Sequence, residues 1–382
     1  MKIILSLILW TLIYLSAFSQ YRVRINLISI PDALKTDSIF IAGSFNNWSP
    51  NDGQSRFIQD KNYNFYIEFP HVEAGSYEFK FTRGSWQKAE CKKDGNDIDN
   101  RSAIISSDTI FDFTVQGWKD QFPGKTKLHT ASKNVEIIDS AFYIPQLQRY
   151  RRIWAYLPSD YKISSRRYPV LYMQDGQNLF DEYTAAYGEW SVDEILDTLS
   201  KKTNCIVIGI DNGADKRMGE YNPYDFRNGS NAAQEVIKGE GDGYVDFLAL
   251  TLKPYIDKKF RTLPNPRHSF IAGSSMGGLI SLYAIMKYPN VFGGAGVFSP
   301  AFWTSPRIEQ DVKKLSLHNY VKMYFYAGGD ESKTMVSDMR HICTLLKDNP
   351  KIKMQVHVTA NGKHNEANWR REFPKFYEWM VE

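Results

Sequence analysis

Two kinds of hydrophobic pattern follow one another along the chain. From Gln20 to Val115 apolar and polar residues alternate in short runs: Val23-Arg24-Ile25-Asn26-Leu27-Ile28, Ser38-Ile39-Phe40-Ile41-Ala42, Phe65-Tyr66-Ile67-Glu68-Phe69, Tyr77-Glu78-Phe79-Lys80-Phe81 and Thr109-Ile110-Phe111-Asp112-Phe113. A period of two, broken by Gly, Asn and Asp clusters, predicts half-buried strands arranged as an all-β sandwich. From about residue 133 the pattern changes to continuous apolar runs alternating with helical spacing. Strands are expected near 135–142, 151–157, 169–175, 205–210, 269–274, 293–298, 322–327 and 353–359. Helices are expected near 190–201, 243–259, 277–288, 306–315, 332–347 and 368–381. That alternation predicts a three-layer α/β/α domain on a mostly parallel sheet. The chain therefore divides into a front domain, 20–116, a polar linker, 117–132, that holds Pro123-Gly124, and a larger domain, 133–382.

One stretch of the larger domain carries chemistry. Gly273-Ser274-Ser275-Met276-Gly277 lies between the apolar run ending at Ala272 and the helical pattern opening at Gly278. Strand, tight glycine-flanked turn and helix are the setting of a nucleophile elbow, which presents a serine hydroxyl above the sheet. Such a serine needs a base, and the base needs an orienting acid. The chain order serine, acid, histidine leaves His357 and His364, with His341 inside an expected helix as a poor third. His357 lies mid-strand; His364 lies past the strand end, where a side chain can reach the serine. The acid should follow the preceding strand, where Asp330 and Glu331 stand side by side, and spacing alone does not choose between them. Two backbone N–H groups must also face the developing oxyanion.

Residues from about 133 onward resemble the esterase D branch of the α/β-hydrolases, which includes feruloyl and acetyl-xylan esterases, enterochelin esterases and mycolyltransferases. The matching stretches are Tyr168 to Phe180, Gly188-Glu189-Trp190, Arg217 with Glu220-Tyr221, the elbow, and Gly362-Lys363-His364. The resemblance implies an α/β-hydrolase fold, Glu331 as the acid, the N–H groups of Met276 and of Gln177, in the loop Asp175-Gly176-Gln177-Asn178, as the two oxyanion donors, and chemistry without metal or organic cofactor. In the front domain, Gly43-Ser44-Phe45-Asn46-Asn47-Trp48-Ser49-Pro50, the strand through Lys80, Gly84-Ser85-Trp86 and Asn100-Arg101 resemble glycogen- and starch-binding modules. These are early-set, immunoglobulin-like sandwiches. The likeness implies that Trp48 and Trp86 stack on sugar rings while Lys80 and Asn100 reach hydroxyls. The Lys80-to-Trp86 spacing is one shorter than in the β subunit of AMP-activated kinase, and similar domains ahead of enterochelin-type esterases act as scaffolds.

Residues 1–19 read as a targeting segment: Lys2, an apolar run from Ile3 to Leu15, and a small-x-small site at Ala17-Phe18-Ser19. Export, to the periplasm or beyond, is the expectation, with no membrane association after cleavage. Three cysteines without metal spacing predict neither a disulfide framework nor a metal site. A net charge of +4 without dense basic clusters argues against a nucleic-acid partner. Two further segments bear on the pocket. From Asn212 to Gly243 no apolar periodicity is visible, and Arg217 there is expected to pair with Glu220 or a carbonyl, or to meet an anionic substrate group. After the sixth strand of the sheet, Phe302-Trp303 offers an aromatic pair, with Phe302 equally suited to the core. The leading functional expectation is an exported serine esterase acting on acetyl or feruloyl esters of a polysaccharide or oligosaccharide. A siderophore or other small-molecule esterase is the alternative, and a non-catalytic glycan-binding protein a third.

Overall fold

The computed structural model describes residues 20–31, 38–46, 48–61, 64–122, 128–199, 204–227 and 236–382, so the expected targeting segment lies outside the described residues. Contacts divide the chain into two units, Met1–Lys125 and Thr126–Glu382.

The first unit is strand-rich. One sheet runs in the order Ile58–Gln59, Phe65–Glu73, Gln20–Ser29, Thr109–Thr114, and a second holds Phe40–Gly43, Gly75–Thr82 and Arg101–Ile105. Val23, Ile25 and Leu27 from the first meet Ile41, Phe79, Phe81 and Ala103 from the second in one core. Alternation along each strand puts these residues on one face, and burying that face holds the two sheets together.

The expected linker needs correction at both ends. Gly117–Trp118 pairs with Glu90–Cys91, and Trp118 is fully buried in the first unit's core. At the other end, Thr130 Oγ1 donates to Glu189 (2.9 Å) and the Ser132 N–H to Asp193 (2.6 Å), tying residues 130–132 to the second unit. An indole too large to leave in water, and carboxylates that need donors, recruit residues whose polarity alone reads as linker.

In the second unit eight strands form one sheet: β1 (Val135–Ile144), β2 (Arg149–Tyr156), β3 (Val170–Gln174), β4 (Ile206–Ile210), β5 (Ser269–Ser274), β6 (Gly294–Phe298), β7 (Val321–Gly328) and β8 (Ile352–Thr359). Their spatial order is β1-β2-β4-β3-β5-β6-β7-β8. Only β2 runs against the rest, pairing antiparallel with β1 and β4. The central strands read as unbroken apolar runs because both faces are covered. On one face Tyr172, Ile271, Val297 and Phe325 pack against the helices Met276–Lys287 and Met335–Leu346. On the other, Met173, Ala272, Phe298 and Tyr324 pack against Val192–Thr198 and Glu366–Val381. The helix expected at 243–259 spans Gly241–Lys259, but Phe247–Leu252 within it is wound as π-helix. The carboxyl ends of β3, β5, β6, β7 and β8 all open on the same edge of the sheet, where ligands of open α/β sheets are met.

Candidate active site

Ser275 joins β5 to the helix Met276–Lys287 at φ 58° and ψ −121°, a conformation that costs a residue with a Cβ on the order of 1–3 kcal/mol. The surroundings impose it. The Ser275 N–H donates to the Phe298 carbonyl (2.9 Å), and its own carbonyl accepts from Ala301, Gly278 and Leu279, each at 3.1 Å. A Cβ on Gly273 would lie 2.8 Å from the carbonyl carbon of Gly277, so the bend closes only with glycine there. Ser275 itself is partly exposed.

His364 follows β8 and Glu331 follows β7. Their loops meet backbone to backbone: a Cβ on Gly328 would lie 2.2 Å from the Gly362 carbonyl oxygen. This approach brings His364 Nδ1 to 2.8 Å from Glu331 Oε2. The other carboxylate oxygen accepts from the Gly328 N–H (2.6 Å) and from Ser299 Oγ (2.6 Å). Ser299 in turn accepts from Trp369 Nε1 at 2.8 Å, and the Trp369 ring lies edge-on to the imidazole, 5.0 Å away. Glu331 is buried while its neighbour Asp330 is exposed, so the geometry pairs Glu331, not Asp330, with the histidine. With Nδ1 engaged, Nε2 is the ring nitrogen left for another partner. Neither other histidine competes: His357 is held by Glu372 (3.3 Å) and stacks on Tyr324, and His341 pairs with Glu309 (3.2 Å).

Gln177 lies in the one-turn helix Gly176–Asn178 directly after β3, where Asp175 is in the left-handed region at φ 56°. The first bond of that turn runs from the Asn178 N–H to the Asp175 carbonyl, and the Gln177 N–H precedes it. Met276 opens its helix, so its N–H is likewise one of the first-turn donors an α-helix leaves over. The Asp175 conformation is held by its carboxylate: Arg217 donates through Nε (2.6 Å) and Nη2 (2.8 Å), and Asn212 through Nδ2 (2.7 Å). The expected pairing of Arg217 with Glu220 is thus corrected. Glu220 is fully buried and accepts from Arg149 (2.9 Å) and Arg151 (2.7 Å), arginines brought by β2 that no local spacing ties to it.

Near this cluster Glu366 opens the last helix. It is 7% exposed, and burial, reinforced by the Asp175 charge and eased by His364 and Arg217, pushes its carboxyl up to about 7. Sequence reading passed over Glu366, Ser299 and Trp369. The last helix was expected to begin two residues later, and nothing in the spacing of a Ser and a Trp signals that both meet one carboxylate. Of the aromatic pair after β6, Phe302 is core and Trp303 is exposed. Among the described residues no group of three or more His, Cys, Asp or Glu is gathered as a metal site requires. No described helix is long and apolar enough to cross a membrane.

In the first unit Trp48 and Trp86 come together, ring centroids 6.3 Å apart, both half-buried. Asn46 shapes the turn beneath Trp48: its amide oxygen accepts from the Gly43 N–H (3.0 Å) and its amide nitrogen donates to the carbonyls of Ile41 (2.8 Å) and Ser49 (2.9 Å). Trp48 sits in the left-handed region at φ 60°. Lys80 and Asn100 are placed less favourably for sugar hydroxyls. Lys80 is 8% exposed, with its ammonium lowered first by burial and then by Lys119, and the Asn100 amide donates to Glu78 (3.2 Å).

Comparison with known proteins agrees with the fold of the second unit. The model of the family described as "Putative esterase" matches residues 144–380, and the chain belongs to that family of ester hydrolases. The uncharacterised protein YbbA of Bacillus subtilis (strain 168) is 27% identical over 249 residues, covering 60% of this chain and 92% of its own. An amylopullulanase of Thermoanaerobacter thermohydrosulfuricus is 35% identical over 99 residues, 24% of this chain and 7% of that enzyme. The enterochelin esterase of Shigella flexneri superposes with a TM-score of 0.52 at 14% identity, covering 90% of this chain and 88% of its own, a likeness of fold.

Proposed function

We propose that this chain is an exported serine esterase that cleaves carboxylic esters carried on a polysaccharide or oligosaccharide. The observation that carries the catalytic reading is the buried Glu331 bonded to His364 Nδ1 on a strand-end loop of the same sheet edge as the strained Ser275. In this reading His364 Nε2 takes the Ser275 proton as Oγ attacks the ester carbonyl, and the N–H groups of Met276 and Gln177 receive the oxyanion. Collapse expels the alcohol, protonated by His364, and leaves an acyl group on Ser275. Water, deprotonated by His364, then attacks the acyl carbon, and the Ser275 Oγ–C bond breaks as His364 returns the proton to Oγ, releasing the acid. Glu331 holds the imidazole tautomer and offsets its positive charge, itself held by Ser299 and the Gly328 N–H.

The carbohydrate reading is supported by the adjoining Trp48 and Trp86 rings and by the 99-residue likeness to an amylopullulanase. A siderophore ester is the second reading, favoured by the likeness to enterochelin esterase over nine-tenths of the chain. Purified protein tested on acetylated and feruloylated xylan and on a catechol trilactone separates them. Higher kcat/KM on the polysaccharide esters is expected, and turnover of the trilactone alone would transfer the assignment to siderophores.

A further inference from the structure

A cleft of about 560 Å³ lies against the turn after β6, and its lining has no part in the triad. One wall is the turn after β6, bonded directly to the elbow: the Ala301 N–H donates to the Ser275 carbonyl (3.1 Å), and Thr304 Oγ1 lies 3.5 Å from Met276 Sδ. Phe302 and Thr304 are buried and anchor this turn, while Trp303 between them is 54% exposed. The opposite wall is Tyr224 to Arg227. Arg307 also lines the cleft, its guanidinium 5.0 Å from the centre of the Tyr224 ring, which is fixed by a bond from its hydroxyl to Asp311. Among the described residues Arg307 has no carboxylate within ion-pairing distance. The lining carboxylate, Asp225, accepts from the Gly239 N–H (2.8 Å).

A half-exposed indole and a guanidinium with no carboxylate partner among the described residues line one open cleft and are free to meet a ligand. A stacked guanidinium keeps its in-plane N–H donors for an anion. The indole face is electron-rich and suits the weakly positive C–H face of a sugar. The size is that of a small-molecule site with room for more than one ring, and the cleft is open, where an aryl group would favour an enclosed apolar slot. We propose that this cleft is the subsite for the alcohol part of the substrate and that it selects a carboxylate-bearing sugar, the ring on Trp303 and the carboxylate on Arg307. The proposal rests on the esterase reading of Ser275.

Its test is a matched pair of soluble esters, an O-acetylated methyl glucuronoside and the corresponding methyl glucoside, alongside p-nitrophenyl acetate and a 2,3-dihydroxybenzoyl ester. The wild type is expected to favour the acidic sugar by about tenfold or more in kcat/KM, as for a hydrogen bond to a charged group, and to lose preference as salt rises. Arg307→Glu should abolish the preference and Arg307→Lys keep part of it. Trp303→Ala should raise KM for both sugars more than it lowers kcat. A wild-type ratio near one, a ratio unmoved by Arg307→Glu, or a larger kcat/KM on the dihydroxybenzoyl ester would each overturn the subsite. Failure on every ester, p-nitrophenyl acetate included, would instead remove the esterase reading beneath it.

Discussion

Two adjacent carboxylates after β7 differ in a single respect that decides their chemistry: Glu331 is turned into the protein and Asp330 out of it. Glu331 accepts three bonds, from His364, Ser299 and the Gly328 N–H, whereas Asp330 is exposed. Glu331→Gln should therefore lower kcat on the order of 10³-fold or more through loss of the imidazole tautomer, and Asp330→Asn by far less. Steady-state kinetics on p-nitrophenyl acetate check this, and the reverse order would move the acid to Asp330. At this scale the sequence named the serine and the histidine from local context, because an elbow and a strand-end loop are contiguous in the chain. It left the acid open until a family resemblance was invoked. It also misassigned Arg217, whose partner Asp175 stands on another strand's end, because partners brought by tertiary packing leave no spacing to read.

The main strands and helices of the second unit were legible to within about three residues at each end, since buried parallel strands and amphipathic helices have different periods. What escaped was the junction between units, where Trp118 is drawn into a core, and the start of the last helix. That helix opens on Glu366, where a carboxylate normally gains from the helix dipole. Burial outweighs the dipole here and raises the carboxyl to about 7. A raised carboxyl means that the folded state holds a proton the unfolded chain has released, so this group's contribution to stability falls as pH climbs from the ordinary glutamate range through about 7. Glu366→Gln should thus be close to neutral in Tm at pH 5 and stabilising at pH 8. Thermal unfolding at the two values tests it, and an equal shift at both would show that no such proton is held.

Across the whole molecule, two units of different pattern lie on one chain, and each bears its own aromatic feature at least partly open to solvent. For the first unit the paired Trp48 and Trp86 were foreseeable from a motif, while the burial of Lys80 was not: the strand it lies on alternates in sequence, yet its last residues, Phe79 to Thr82, are all buried. If the two rings form a sugar platform, the double variant Trp48→Ala with Trp86→Ala should lose retention of the full chain in affinity electrophoresis on starch, glycogen or xylan. Each ring is expected to contribute about 1 kcal/mol. Unretarded migration of the folded wild type on all three polysaccharides would leave the first unit as a scaffold.

Catalysis by this route requires that Ser275 become covalently acylated, with His364 as its base. Rapid-quench mixing with p-nitrophenyl acetate, followed by peptide mass mapping, measures this directly. A burst of p-nitrophenol matched by acetyl on the peptide carrying Ser275 is expected, with loss of both in His364→Ala and Ser275→Ala. Acetyl on another residue, or undiminished turnover by folded Ser275→Ala, would contradict it.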